Sequence, residues 1–228
     1  MDIGRSISYV FEDKSWLSKV LIGGLLSIIP IFGWFVVFGY WVRTAQNVAN
    51  GYELPLPEWN EFGGDFIRGF KAWVAMLVWA IPLIVLAFCA AIPLAAMSSS
   101  SNGALSALGG LMFVGVWGVD LILGLAIAFI APVVIGRVVM QDNISAAFDF
   151  AGIVNVARDN AVSLLIIVGM TVALRFAASF GLILCFVGVL FTSFLSIVML
   201  SHLYGQFWRR MGQYVPVDTS AIIPGPSV

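Results

Sequence analysis

The sequence predicts an all-α fold: a polytopic transmembrane helical bundle, with four full spans plus an N-terminal broken helix or helical hairpin, and with amphipathic surface helices. Three observations predict it. Of the 228 residues 61% are hydrophobic and only 10% charged, where a soluble domain is near half apolar and a quarter charged. The apolar residues fall in long continuous runs separated by short polar islands. The basic residues gather in particular islands and leave others bare.

The runs come first. Val74 to Met97, Leu108 to Gly136, Ala161 to Phe180 and Leu182 to Tyr204 each reach or exceed the ~20 residues that cross ~30 Å of hydrocarbon. In lipid such segments must be helices or a closed barrel. Continuous rather than alternating apolarity selects helices. Residues 1–212 read as one transmembrane domain and 213–228 as a Pro-containing C-terminal tail.

The first apolar stretch differs. Leu17 to Val42 is long enough for one span, but Pro30 and Gly33 sit in its middle and read as a helix break. It is either one kinked span or two short helices joined by a bend. Charge favours the hairpin. Arg43, Arg68, Lys71, Arg137, Arg158, Arg209 and Arg210 cluster on one side, and the loop from Ser98 to Gly110 carries no charge. The positive-inside rule makes the first set cytoplasmic. A hairpin adds Arg5, Lys14 and Lys19, leaving only Arg175 elsewhere. Both termini are then cytoplasmic. The N-terminus does not read as a cleavable signal, because Asp2, Glu12 and Asp13 interrupt any basic region.

Three polar islands have helical periodicity and are expected to lie at the membrane surface. Ile3, Ile7, Val10 and Phe11 share a face in the first. Trp59, Phe62, Phe66, Phe70 and Trp73 recur in the second, opposite Glu61, Asp65 and Arg68, as a membrane-surface anchor. In the third, from Ile144 to about Asn160, Ile144, Phe148 and Ala151 face one way. This order suggests a repeat of surface helix, span up and span down. Phe113-Val114-Gly115-Val116 recurs at Phe186-Val187-Gly188-Val189, 73 positions on (186 − 113). Phe62 and Phe148 lie 86 apart (148 − 62), and the difference of 13 is the length of the loop Ser98–Gly110.

Candidate chemistry is sparse. Asp120 lies well inside a span, where a carboxylate is costly and marks a functional hypothesis. It is expected to pair with Arg175; an unpaired snorkelling arginine and an ion or proton role are the alternatives. His202, the single histidine, reads as a hydrogen-bonded interfacial residue rather than an axial ligand. Glu58, Glu61 and Asp65 complement a helix N-terminus after Pro55 and Pro57, and Asp65 can pair with Arg68. Gly115, Gly118 and Gly124 are expected to let helices approach closely. Cys89 and Cys185 lie in apolar runs without CxxC spacing and read as buried thiols. No nucleophile–base pair, phosphate loop, metal triad or dinucleotide fingerprint appears, so neither catalysis nor a cofactor or metal is expected. A net charge of −1 provides no field for nucleic acid.

A family resemblance adds to this. It is carried by Phe11-Glu12-Asp13, Ile22-Gly23-Gly24-Leu25-Leu26-Ser27, Pro30, Gly33, Gly39-Tyr40, Arg43, Leu56-Pro57-Glu58-Trp59, Phe62-Gly63, Gly188, Phe191-Thr192 and His202-Leu203-Tyr204-Gly205-Gln206. Together these resemble the prokaryotic membrane family called domain of unknown function 4013. The resemblance implies a plasma-membrane protein, and it implies no activity and no site residues. Two roles remain: a non-catalytic scaffold or accessory subunit, in contact with lipid and with other subunits or further copies of itself, and a small-solute or ion transporter with Asp120 and Arg175 in its pathway.

Overall fold

Apolar runs bounded by short polar caps become eight α-helices in the computed structural model, which describes residues 1–214; of these, the side chains of 184–187 and 213–214 lie outside the description, as do the C-terminal tail and the Cys185 thiol. The helices are α1 (Ile3–Glu12), α2 (Trp16–Leu26), α3 (Phe32–Asn50), α4 (Phe62–Ser98), α5 (Gly103–Gln141), α6 (Phe150–Asp159), α7 (Ala161–Ser179) and α8 (Cys185–Tyr214). Short 3-10 turns fill Ile144–Phe148 and Phe180–Leu184. Four helical segments are long and apolar enough to cross a membrane: Phe62–Ser98, Gly103–Gln141, Ala161–Ile183 and Gly188–Gly212. These are the four spans expected from the runs.

The stretch around Pro30 and Gly33 resolves into a hairpin. Gly23 meets the Phe194 ring and Gly24 the Phe191 ring, so α2 runs against the direction of α8. Gly205 sits against Ala45 and Val48, and Arg209 bonds the Ala49 carbonyl at 3.0 Å, so α3 runs with it. The bend lies at Ile31, between the two residues that signal it. Ile31 has φ 65° and ψ −71°, and the Phe32 amide bonds the Pro30 carbonyl at 2.7 Å. That is a γ-turn of the strained, positive-φ kind. Gly33 follows because a Cβ there meets the Leu26 carbonyl.

The islands differ in how they meet the surface-helix expectation. The second is no separate helix: its residues from Phe62 onward are the first turns of α4, continuous to Ser98. Its polar face points into the protein, where Asp65 is fully buried and Gly69 packs on the Phe35 carbonyl. A helical wheel identifies two faces but not which one the neighbouring helix covers. In α1, Ile3, Ile7 and Phe11 are exposed, while Val10 turns inward with Ser6 and Tyr9. The third island divides at Asp149, whose side chain accepts the Gly152 amide at 2.9 Å and caps α6. The matched tetrapeptides also occupy different registers: Phe113 lies well inside α5, Phe186 in the first turn of α8.

The core sits at one end of the bundle. Trp41, Val133, Val134, Ile153, Leu164, Ile167, Leu203, Phe207 and Trp208 form its main cluster, joining α3, α5, α6, α7 and α8. Away from that end α4 and α5 separate from the rest. Between Ala75 and Leu94 no residue of α4 is buried, and between Gly109 and Ala131 none of α5 is. At 37 and 39 residues these helices are about 55–58 Å long at 1.5 Å per residue. Gly115, Gly118 and Gly124 lie on this bare part with nothing within 4 Å of an added Cβ. Among the described residues no helix packs against them, contrary to the reading from spacing.

Candidate functional site

Prolines at 55 and 57 deprive the segment between α3 and α4 of amide donors. Its carbonyls still require partners when buried. Side chains supply them, one for each of four successive residues. Asn47 donates to the Pro55 carbonyl at 2.9 Å, Lys19 to Leu56 at 3.0 Å, Tyr40 to Pro57 at 2.9 Å and Arg43 to Glu58 at 2.7 Å. Trp59 completes the clamp, stacking on Tyr40 with centroids 4.0 Å apart and donating its indole N–H to the Lys19 carbonyl at 3.0 Å.

The clamp side chains carry paired charge. Lys19 Nζ lies 2.7 Å from both Asp13 and Glu58. Arg43 lies 2.8 Å from Asp65 and 3.5 Å from Glu61. Arg68 lies 3.1 Å from Asp65 and 3.0 Å from Glu61. Burial pushes the Asp13 carboxyl up, but hydrogen bonds from Lys19 and Ser15 outweigh it and hold it below the usual carboxylate range. Asp65 makes the pair with Arg68 expected from sequence, and Glu58, Glu61 and Asp65, read as helix-dipole complements, also meet cations from α2, α3 and α4.

His202 belongs to a second lock, between α1 and α8. Its ring stacks on Tyr9 at 4.7 Å, and Gln206 Nε2 donates to its Nδ1 at 2.8 Å. An amide nitrogen only donates, so Nδ1 accepts and the proton sits on Nε2. The Gln206 side chain also bonds the Asp2 amide and carbonyl, at 2.7 and 3.0 Å. Tyr9 donates to the Val198 carbonyl at 2.6 Å.

The anchor residues divide. Trp59 belongs to the clamp. Phe66, Phe70 and Trp73 pack edge-on around Phe35 of α3, at 5.4–5.6 Å. Phe62, Phe70 and Trp73 remain exposed on their outer sides.

Asp120 and Arg175 are not brought together; no ion pair joins them. Asp120 is half-buried beside α4, on a groove of about 350 Å³ lined by Ala87, Ala90, Ala91, Ala95, Phe113 and Trp117. Its Oδ1 is buried without a hydrogen-bond partner. Arg175 is exposed on α7, with no ion pair or hydrogen bond among the described residues. The expected pair fails because α5 and α7 belong to different hairpins that touch only near the core. Cys89 is exposed on α4 rather than buried. No group of three His, Cys, Asp or Glu side chains gathers among the described residues.

The family model described as protein of unknown function (DUF4013) matches residues 22–201. The chain belongs to the DUF4013 family. The part matching DUF4013 takes in Gly39, Arg43, the clamp segment, Asp65, Asp120 and Arg175, and leaves out Asp13, Lys19 and His202. No curated protein and no solved structure matches this DUF4013 chain. Sequence reasoning missed the clamp as a unit. Its signal was present as two spaced prolines beside an aromatic, with unmatched acids and bases in three neighbouring islands.

Proposed function

We propose that this DUF4013 protein is a non-catalytic scaffold or accessory subunit of a membrane complex in a prokaryotic plasma membrane, with both termini in the cytoplasm. The observation that carries this reading is the division of labour among its charges. Those at the packed end tie the chain's own elements together, while a long apolar hairpin carries one unpartnered carboxylate to where only lipid or another protein can meet it. An intramembrane carboxylate calls for a partner or a water-filled cavity. The exposed faces of Ile3, Ile7 and Phe11, and of Phe62, Phe70 and Trp73, suit the headgroup boundary. Orientation is tested by cysteines at Ser8 and Ser220 in a chain lacking native cysteine. Both should resist a membrane-impermeant thiol reagent in intact cells, and labelling of either removes the cytoplasmic assignment. The subunit role is tested by extraction from native membrane in mild detergent. The chain should migrate well above its own mass.

The unpartnered Asp120 oxygen beside a groove also favours a second reading, transport of an ion or small solute. Loss of an uptake phenotype in Asp120→Asn cells, with the native assembly unchanged, would replace the first reading by the second.

A further inference from the structure

Two ionisable groups in the spans, Asp120 and Arg175, have no partner among the described residues, and their charges are complementary. We propose that the chain assembles with further copies of itself, Arg175 of one copy entering a groove on α5 of the next to pair with Asp120. This deepens the subunit reading and rests on it.

The groove suits an arginine. It holds about 290 Å³ and is lined by Trp117, Asp120, Leu121, Gly124 and Leu125. Gly124 lies one turn from Asp120, and nothing stands within 4 Å of where its Cβ would be, so the approach is open. Trp117, a turn to the other side, is 64% exposed. Its ring offers a face on which a guanidinium stacks while its N–H groups reach the carboxylate.

Depth agrees as well. Val133 and Val134 of α5 share the main core cluster with Leu164 and Ile167 of α7, which places these residues near one level. From there, at 1.5 Å per residue, Asp120 lies about 20 Å and Arg175 about 14 Å toward the hairpin tips. The difference of about 6 Å is within the reach of an arginine stem. Arginine can also snorkel to the surface, but aspartate has no stem with which to do so. The partner must therefore come to Asp120. The contact is heterologous, one patch on α5 against a different patch on α7, so each copy retains one free patch until a ring closes.

The test uses full-length protein in nanodiscs, with oligomer mass read by native mass spectrometry. The parent should form oligomers. Asp120→Asn alone and Arg175→Gln alone should each associate about tenfold more weakly, and run as monomers at protein concentrations where the parent is still oligomeric. Mixed together they should give dimers and nothing larger, because only the Asp120 of one and the Arg175 of the other can still pair. The charge-exchanged double variant Asp120→Arg/Arg175→Asp should restore the parent oligomer. A monomeric parent overturns the proposal. So do single variants that oligomerise like the parent, or a mixture that stays monomeric. Should either neutral variant fail to fold, Asp120→Arg and Arg175→Asp, each repelling itself, must rescue one another on mixing. A monomeric parent that still migrates in a large native assembly would defeat this proposal and leave the subunit reading standing.

Discussion

Asp65 and Asp120 are both carboxylates on membrane-length helices, yet their surroundings are opposite. Asp65 is fully buried and lies within 3.1 Å of two guanidinium groups. Asp120 is half-buried and its Oδ1 touches no donor. The same contrast runs through the glycines. Gly39 and Gly69 bring α3 and α4 so close that a Cβ on either meets the other helix's backbone, whereas Gly115 and Gly118 face open space. Near the core, small and charged residues are used up by the chain's own packing. On the α4–α5 hairpin the same residue types are left for something outside the chain.

The largest expected effect lies at the Arg43–Asp65 pair. Removing one partner of a buried ion pair costs about 3–5 kcal/mol when the other charge is left alone; Arg68 still faces Asp65 at 3.1 Å, so the loss of Arg43 should cost about 3 kcal/mol, the low end of that range. Arg43→Ala should therefore lower the melting temperature in detergent sharply, and more than its charge alone explains, because the Glu58 carbonyl also loses its donor. Asp120→Asn in the detergent-solubilised monomer breaks no hydrogen bond at Oδ1, which has none, and should not lower the melting temperature. Equal effects would remove the contrast between the two ends.

Next comes the glycine contact. An alanine at Gly69 places its Cβ against the Phe35 carbonyl and the Gly39 amide. Backbone cannot move aside as a side chain tip does, so overpacking here should cost about 3 kcal/mol. Thermal unfolding of Gly69→Ala measures it. A melting temperature like the parent's would show that α3 and α4 have room to part.

How much of this was legible in the sequence differs between the two ends. The spans were, because twenty-residue apolarity is a property of consecutive residues. So was the break between Pro30 and Gly33, since proline and glycine act on their own backbone. The clamp was not. Arg43 and Lys19 served only as markers of orientation, and their partners lie 22 positions away at Asp65 and 39 at Glu58 (65 − 43; 58 − 19). The inward turn of the 59–73 polar face escaped notice for a related reason. Periodicity gives the angle between two faces of a helix, and only the packed fold decides which face α3 covers. Asp120 and Arg175 were joined on depth alone, which says nothing about whether two hairpins diverge.

Acid should act on the clamp through Asp13. The folded Asp13 carboxyl titrates below its unfolded value, the lowering by Lys19 and Ser15 outweighing burial. The folded state thus binds fewer protons in that interval, and stability rises with pH across it. The contribution is complete above the unfolded carboxylate range, near pH 4, and is lost as pH falls through the folded value. Asp149 adds a contribution of the same sign, its carboxylate held down by the Gly152 amide and by Arg137. Asp13→Asn should flatten the acid limb of a melting-temperature profile. An unchanged limb would show that Lys19 holds Glu58 and the Leu56 carbonyl without help from Asp13.

A smaller effect, of opposite sign, is expected at the bend. Ile31 is a β-branched residue at φ 65°, 65% exposed. Such a conformation costs about 1–3 kcal/mol for a residue with a Cβ. Ile31→Gly relieves it and removes little packing, although glycine gives the unfolded chain about 0.5–1 kcal/mol of extra freedom. The net gain should be about 1 kcal/mol, seen as a higher melting temperature. A lower one would mean that the isoleucine side chain makes contacts worth more than the strain.

The smallest expected effect is the most informative about the hairpin. Gly118→Ala adds a methyl group where nothing lies within 4 Å. Inside a helix alanine is favoured over glycine by up to about 1 kcal/mol, so the isolated monomer should be unchanged or slightly more stable. In the native membrane the outcome depends on what faces Gly118 there. If lipid does, the methyl group is accommodated and the native assembly keeps its mass and stability. If a neighbouring helix packs close, as small residues allow in a bilayer, the assembly weakens while the monomer does not. Monomer melting measured beside native assembly mass separates these cases, and a loss of stability in the monomer itself would show that α5 is covered within its own chain.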